Sequence, residues 1–159
     1  MPRSSPPSRS TLAPQELLTS TAVAAFSSDQ SQRITVWNQA AEALLGHEAT
    51  REVGKRCFQV ICGRDLYGNR YCNESCAVRK MRRHREPIHP YEFQIKHRSG
   101  EMLKVKCSVI IAPSANARRF NFIHLVEPLE SAPKIALDEL ARRGAAATHS
   151  PSAPVRRKK

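Results

Sequence analysis

The sequence predicts an α+β domain built on an antiparallel sheet of five strands, and three observations predict it. Near the start, Ala22 to Ser27 and Arg33 to Trp37 read as two strands joined by the polar turn Ser28-Asp29-Gln30-Ser31-Gln32, a hairpin. After Asn38 and again after Asn73, apolar residues recur at helical spacing. From Tyr91 the period falls to two, through three further runs that end at Val126. The order is therefore strand, strand, helices, then three antiparallel strands.

Residues 1–13 are rich in Ser, Pro and Arg and hold too little apolar surface to order themselves. Pro14-Gln-Glu-Leu-Leu18 starts a short helix, with proline suited to its first turn. Behind the hairpin, Asn38 is a strong N-cap, and that cap is its simplest role. Ala41, Leu44 and Leu45 then share a helical face that Gly46 ends. His47 to Val53 gives a weaker helical turn before Gly54. Asn73 is expected to cap a further helix, with Glu74 in its first turn. Ala77, Val78 and Met81 form the apolar stripe of that helix, Arg79, Lys80, Arg82 and Arg83 its wet face, and Pro87 and Pro90 its exit.

Tyr91-Glu-Phe-Gln-Ile-Lys96 and Met102 to Val109 alternate apolar and polar residues on either side of the turn Arg98-Ser99-Gly100-Glu101. Leu103, Val105, Cys107 and Val109 fall on one face, which makes Cys107 a residue of the core or of a pocket wall. Phe120 to Val126 is the last strand, with His124 on the same face as Phe120 and Phe122. Beyond a linker, Ile135 to Arg143 could form one more helix before a tail rich in Ala, Ser, Pro and Arg. The division expected is thus a segment 1–13, a domain 14–130, and a linker and basic tail 131–159.

The 159 residues suit one domain of ordinary size, and 40% hydrophobic content supports a modest core. No apolar run reaches the roughly 20 residues of a membrane span, so no membrane partner is expected. Met1-Pro-Arg-Ser-Ser-Pro-Pro lacks the apolar stretch of a secretory signal, which makes a cytoplasmic, thiol-reducing location the expectation. The formal net charge is +12. It is spread over the tail, where seven basic residues oppose two acids, and the run Arg79-Lys-Met-Arg-Arg-His-Arg85. Such a spread is ordinarily a solvated surface, and nucleic-acid binding ranks as a minority reading. No nucleophile–base–orienter set and no phosphate-cradling glycine loop is visible, so catalysis is not expected.

Four of the five cysteines, Cys57, Cys62, Cys72 and Cys76, crowd into one glycine-punctuated stretch as a C-x4-C pair followed by a C-x3-C pair. Thiols gathered in this way suit a soft cation or a cluster, and these four are the candidate ligands of a zinc ion or an iron–sulfur centre. Two alternatives stay open. The four can form disulfides in three connectivities, or act as small buried hydrophobes with no shared chemistry. A shared centre requires Gly63 to Tyr71 to fold back so that all four sulfurs line one cavity. Haem and flavin rank behind zinc and iron–sulfur. No single histidine among His47, His84, His89, His97 and His124 stands out as a haem ligand, although His124 is the most interesting.

The stretch Ile34-Thr-Val-Trp-Asn-Gln-Ala-Ala-Glu-Ala-Leu-Leu-Gly46 resembles the second strand and first helix of PAS domains. Glu52-Val-Gly-Lys55 is similar to the family's next turn, and Arg98-Ser-Gly100 to its hairpin. The resemblance spans about residues 14–130. It implies a five-stranded antiparallel sheet with short helices packed on one face, a role in sensing and in signal transduction or regulation of transcription, and a homodimer or signalling-protein partner. Gly54-Lys-Arg-Cys57-Phe58 also resembles the flavin-binding, light-sensing motif, but Arg56 stands where that motif has asparagine. Two functions follow: a sensor whose cysteine cluster binds metal or reports redox state, or a ligand-free dimerisation or adaptor module whose cysteines are structural.

Overall fold

The computed structural model describes residues 14–114 and 119–129. Helix α1 (Pro14–Thr19) leads into β1 (Ala24–Ser28) and β2 (Ile34–Trp37). Four short helices follow: α2 (Gln39–Leu45), α3 (Ala49–Glu52), α4 (Cys57–Ile61) and α5 (Ala77–His84). Strands β3 (Tyr91–Lys96), β4 (Met102–Pro113) and β5 (Phe120–Pro128) complete a sheet of order β2-β1-β5-β4-β3, antiparallel throughout. The expected α+β class and strand order hold. The segments 1–13 and 131–159, including the helix expected at 135–143, lie outside the described residues.

Alternation along the strands sorts the side chains. Phe26, Phe93, Ile95, Val105, Cys107 and Val126 face the helices and join Ile34, Trp37, Leu45, Val60 and Ile61 in the main core. The other face of the sheet carries a smaller cluster of Ala25, Val36 and Ile123, met by Leu18 from α1. Cys107 is fully buried, as the period of its strand implied.

Asn38 does more than cap α2. Its Oδ1 accepts from Ala41 N at 2.8 Å, which is the cap, and also from Ala25 N at 2.9 Å. Its Nδ2 donates to Leu18 O at 3.0 Å and Val23 O at 2.9 Å. One buried amide thereby joins α1, the start of β1 and α2. Gly46 ends α2 in the left-handed conformation at φ 73°, where a glycine carries no Cβ penalty.

The helices depart from the sequence reading in two places, and β4 runs on to Pro113, beyond the expected Val109. Helix α5 begins at Ala77, not Asn73, because Asn73 Oδ1 accepts from Ser75 N at 2.8 Å and closes a local turn that competes with the helix. Cys57–Ile61 forms a helix of its own, ended by Cys62 in the left-handed conformation at φ 47°. Five residues are too few to show a helical period, and Phe-Gln-Val-Ile reads equally well as a strand.

Candidate functional site

Helix α4, the stretch Tyr71–Arg79 and the helix-facing side of the sheet enclose a cavity of about 40 Å³. Cys57 enters it from the first position of α4, and Cys72 and Cys76 from the irregular chain before α5. Phe26, Phe93, Phe122 and His124 are its floor. Three of the four clustered cysteines thus face one space, Cys72 and Cys76 both from the chain that precedes α5. The volume has room for an ion or a very small ligand. It is far below the roughly 300–1,000 Å³ of pockets that hold drug-sized molecules.

Backbone bonds explain why separate segments meet here. Cys57 N donates to Gln32 O at 2.8 Å, and Gln32 Nε2 donates to Asn73 O at 3.1 Å. The β1–β2 turn therefore ties α4 to the second cysteine pair. Arg64 exchanges two backbone bonds with Gln94, at 2.9 and 2.8 Å, which fastens the reversing loop to the edge strand β3. Tyr71 N and Cys72 N both donate to Gly63 O, at 2.8 and 3.0 Å, and bring the chain back over α4. Within the loop, Asp65 Oδ1 accepts from Tyr67 N and Asn69 N.

Gly63 is required by this closeness. A Cβ on it would lie 2.5 Å from Cys72 Sγ and 2.8 Å from the Phe93 ring. Gly63→Ala is expected to push Cys72 off the cavity wall and to destabilise the domain by about 1–3 kcal/mol, the usual cost of overpacking. Urea unfolding checks the second effect, and thiol alkylation followed by mass spectrometry the first, through faster modification of Cys72.

Burial, and then the neighbouring Cys76 thiol, push the Cys57 thiol up to about 11. Burial, followed by Cys57 and Cys76, pushes Cys72 up to about 12. These thiols are protonated at neutral pH and are weak nucleophiles. Three sulfurs that would repel one another as thiolates are also a donor set that a soft cation would stabilise. Among the described residues, no group of three or more His, Cys, Asp or Glu side chains is already drawn together closely enough to hold a metal ion.

Cys62 stands apart. It is the half-exposed end of α4, outside the cavity wall, and its Sγ donates to Gln59 O at 3.1 Å. The structure brings Cys57, Cys72 and Cys76 to one space and leaves Cys62 beside it. Cys107 lies beneath the floor, bonded to the Tyr91 hydroxyl, and burial pushes its thiol up to about 11.

His124 lies on the cavity together with Phe122, as their shared strand face implied. Its ring stacks on Phe26 at 4.5 Å between centroids, and its Nδ1 lies 3.7 Å from Cys107 Sγ. Burial holds its imidazole down to about 4, so it is neutral at physiological pH. Sequence reasoning passed over Tyr91 and Ser28. Tyr91 opens the alternating run with Phe93 and Ile95, a period that places it on the helix-facing side. Nothing in the local sequence signals the hydrogen bond between Ser28 and Cys57, which are brought together by the fold. The basic run is partly engaged in the fold as well: the Arg82 guanidinium lies 4.8 Å above the Phe120 ring, and Arg79 borders the cavity.

Comparison with known proteins places this arrangement among others. A family model described as PAS domain matches residues 22–127. No curated protein matches the sequence. Among solved structures, the chain is similar to the PAS domain of nitrogen regulation protein NR(II) from Vibrio parahaemolyticus, at 18% identity and a TM-score of 0.56, over 73% of this chain and 97% of that one. A PAS domain from Colwellia psychrerythraea gives 13% identity and a TM-score of 0.56, over 72% and 92%. A Light-Oxygen-Voltage domain studied with a flavin analogue gives 14% identity and a TM-score of 0.56, over 82% and 93%. At these identities the likeness is one of fold.

Proposed function

The chain belongs to the PAS domain family, whose members are in general sensory and signalling modules, and from that premise we propose that it is a cytoplasmic sensor whose input site is the cavity of Cys57, Cys72 and Cys76. The ligand of that site is a thiolate-bound metal, zinc or the iron of an iron–sulfur centre. The observation that carries this reading is the convergence of three thiols from two separate segments on one small space. The fold holds these segments together through Gln32 and Gly63. Binding exchanges thiol protons for a cation, and the loop that carries Cys72 and Cys76 runs directly into α5. A change at the sulfurs is thus placed to move a helix with a basic outer surface. Among the described residues no helix is long and apolar enough to cross a membrane.

Protein purified without oxygen is expected to hold metal, with brown charge-transfer absorption for iron–sulfur or a colourless spectrum and bound zinc. Replacement of Cys57, Cys72 and Cys76 together by Ser should abolish it. Retention of the metal by that variant would refute the assignment.

A second reading has its own observation. On the sheet face opposite the cavity, exposed Ile110 adjoins the half-buried Ala112 and Leu125 beside the small cluster of Leu18, Val36 and Ile123. That apolar face suits a homodimer or a signalling-protein partner, and the cysteines would then be structural. Partner binding that survives the triple Ser substitution unchanged would favour this reading.

A further inference from the structure

The thiol-lined cavity contains a nitrogen donor that belongs to no cysteine motif. We propose that the metal site is completed by His124, giving a Cys57–Cys72–Cys76–His124 donor set, and that Cys62 is a bystander. This rests on the reading of the cavity as a metal-responsive input site, and it names the fourth ligand and the class of metal.

The argument begins with what the cavity offers. A tetrahedral site of the zinc type takes four N or S donors, and three sulfurs with one imidazole is among its common forms. Cys62 points away, with its sulfur turned to the Gln59 carbonyl. Among the other residues on the wall, Gln32 is committed to Asn73 O, and the Tyr91 hydroxyl is bonded to Cys107. His124 is different: it sits on the cavity floor, 8% exposed, across from the segments that bring in the three thiols.

Its surroundings prepare it for ligation. Stacking against Phe26 fixes the ring plane. The contact between Nδ1 and Cys107 Sγ engages one ring nitrogen and leaves Nε2 as the metal-binding atom. The Tyr91 hydroxyl bonds the same Cys107 sulfur, so Tyr91, Cys107 and His124 form a supporting chain behind the ligand. All four donor residues line the same cavity of about 40 Å³, a size suited to one ion. The loop before α5 must draw Cys72 and Cys76 inward to close on it, because the donors are not yet gathered. Three thiolates and a neutral imidazole around a divalent ion leave one net negative charge. Arg79, on the same cavity wall, can offset it.

Cobalt(II) titration of the full chain, reduced and free of oxygen, tests this. The wild type is expected to bind one ion with thiolate charge-transfer bands and the ligand-field bands of a tetrahedral site of three sulfurs and one nitrogen. Cys62→Ser should bind with the same spectrum and with affinity within about threefold. His124→Gln should weaken binding at least about 10-fold, the lower end of what loss of even an outer supporting group costs. His124→Cys should restore tight binding, with bands shifted to lower energy as an all-sulfur site forms, and it decides the matter if the Gln variant fails to fold by circular dichroism. Loss of cobalt from Cys62→Ser, together with unchanged spectra for both His124 variants, would overturn the assignment of His124 and leave the thiol cavity standing. A wild-type chain that binds no cobalt would overturn both.

Discussion

Asn38→Ala is expected to lower the stability of the domain by about 3 kcal/mol or more, well beyond the ~1 kcal/mol of an ordinary N-cap. The substitution removes four hydrogen bonds and strands buried groups on three different segments: Ala25 N, Ala41 N, and the carbonyls of Leu18 and Val23. Each stranded buried group costs about 1–3 kcal/mol, and partial rehydration near α1 lowers the sum. The midpoint of urea unfolding should fall with little change in slope. Asn38→Asp should recover the two bonds to Oδ1 and lose those of Nδ2, and so fall between the two. A loss of about 1 kcal/mol or less for the Ala variant would show that Asn38 is a helix cap and nothing more.

The metal-free domain should also lose stability as pH falls from about 6.5 toward 4, through His124. Burial lowers the folded-state pKa to about 4, whereas the unfolded chain titrates near the ordinary value of 6.5. Above 6.5 both states are neutral and the group contributes nothing to the pH dependence. Between the two values the unfolded chain binds the proton and the folded one does not, so each unit of acidification costs about 1.4 kcal/mol. The full loss is about 3 kcal/mol by about pH 4. Carboxylates add their own acid sensitivity at the lower end, so the diagnostic interval is about 6.5 to 5. His124→Phe should flatten the stability profile there. A wild-type profile already flat across that interval would contradict the buried, neutral state of His124.

The parts of this molecule that repeat a period were the parts legible in its sequence. Tyr91 to Lys96 and Met102 to Val109 alternate cleanly, and the burial of Cys107 followed from its place between Val105 and Val109. Asn38 and Gly46 mark the ends of α2 by local chemistry, and the structure uses both as marked. The three bonds of Asn38 beyond its helix were not legible, because Leu18, Val23 and Ala25 meet it only after the chain folds.

The cysteine stretch shows the same limit more sharply. Counting thiols pointed to Cys57, Cys62, Cys72 and Cys76 as equals, but spacing does not say which way a side chain leaves a five-residue helix. Left-handed Cys62 at the end of α4 turns its sulfur outward, and a histidine 48 positions beyond Cys76 takes its place on the wall. The alternation of β5 was the one available clue, since it put His124 on the face of Phe122. Asn73 erred in the other direction: a good capping residue closed its own turn and let the helix begin later.

The most direct test of the central claim is X-ray absorption at the zinc edge of the metal-loaded full chain. The arrangement of the cavity predicts a first shell dominated by sulfur at about 2.3 Å, three atoms in number, with one nitrogen at about 2.0–2.1 Å and the outer scattering of an imidazole ring. A shell of light oxygen and nitrogen atoms without sulfur would mean that the three thiols do not meet on a metal, and would contradict the claim.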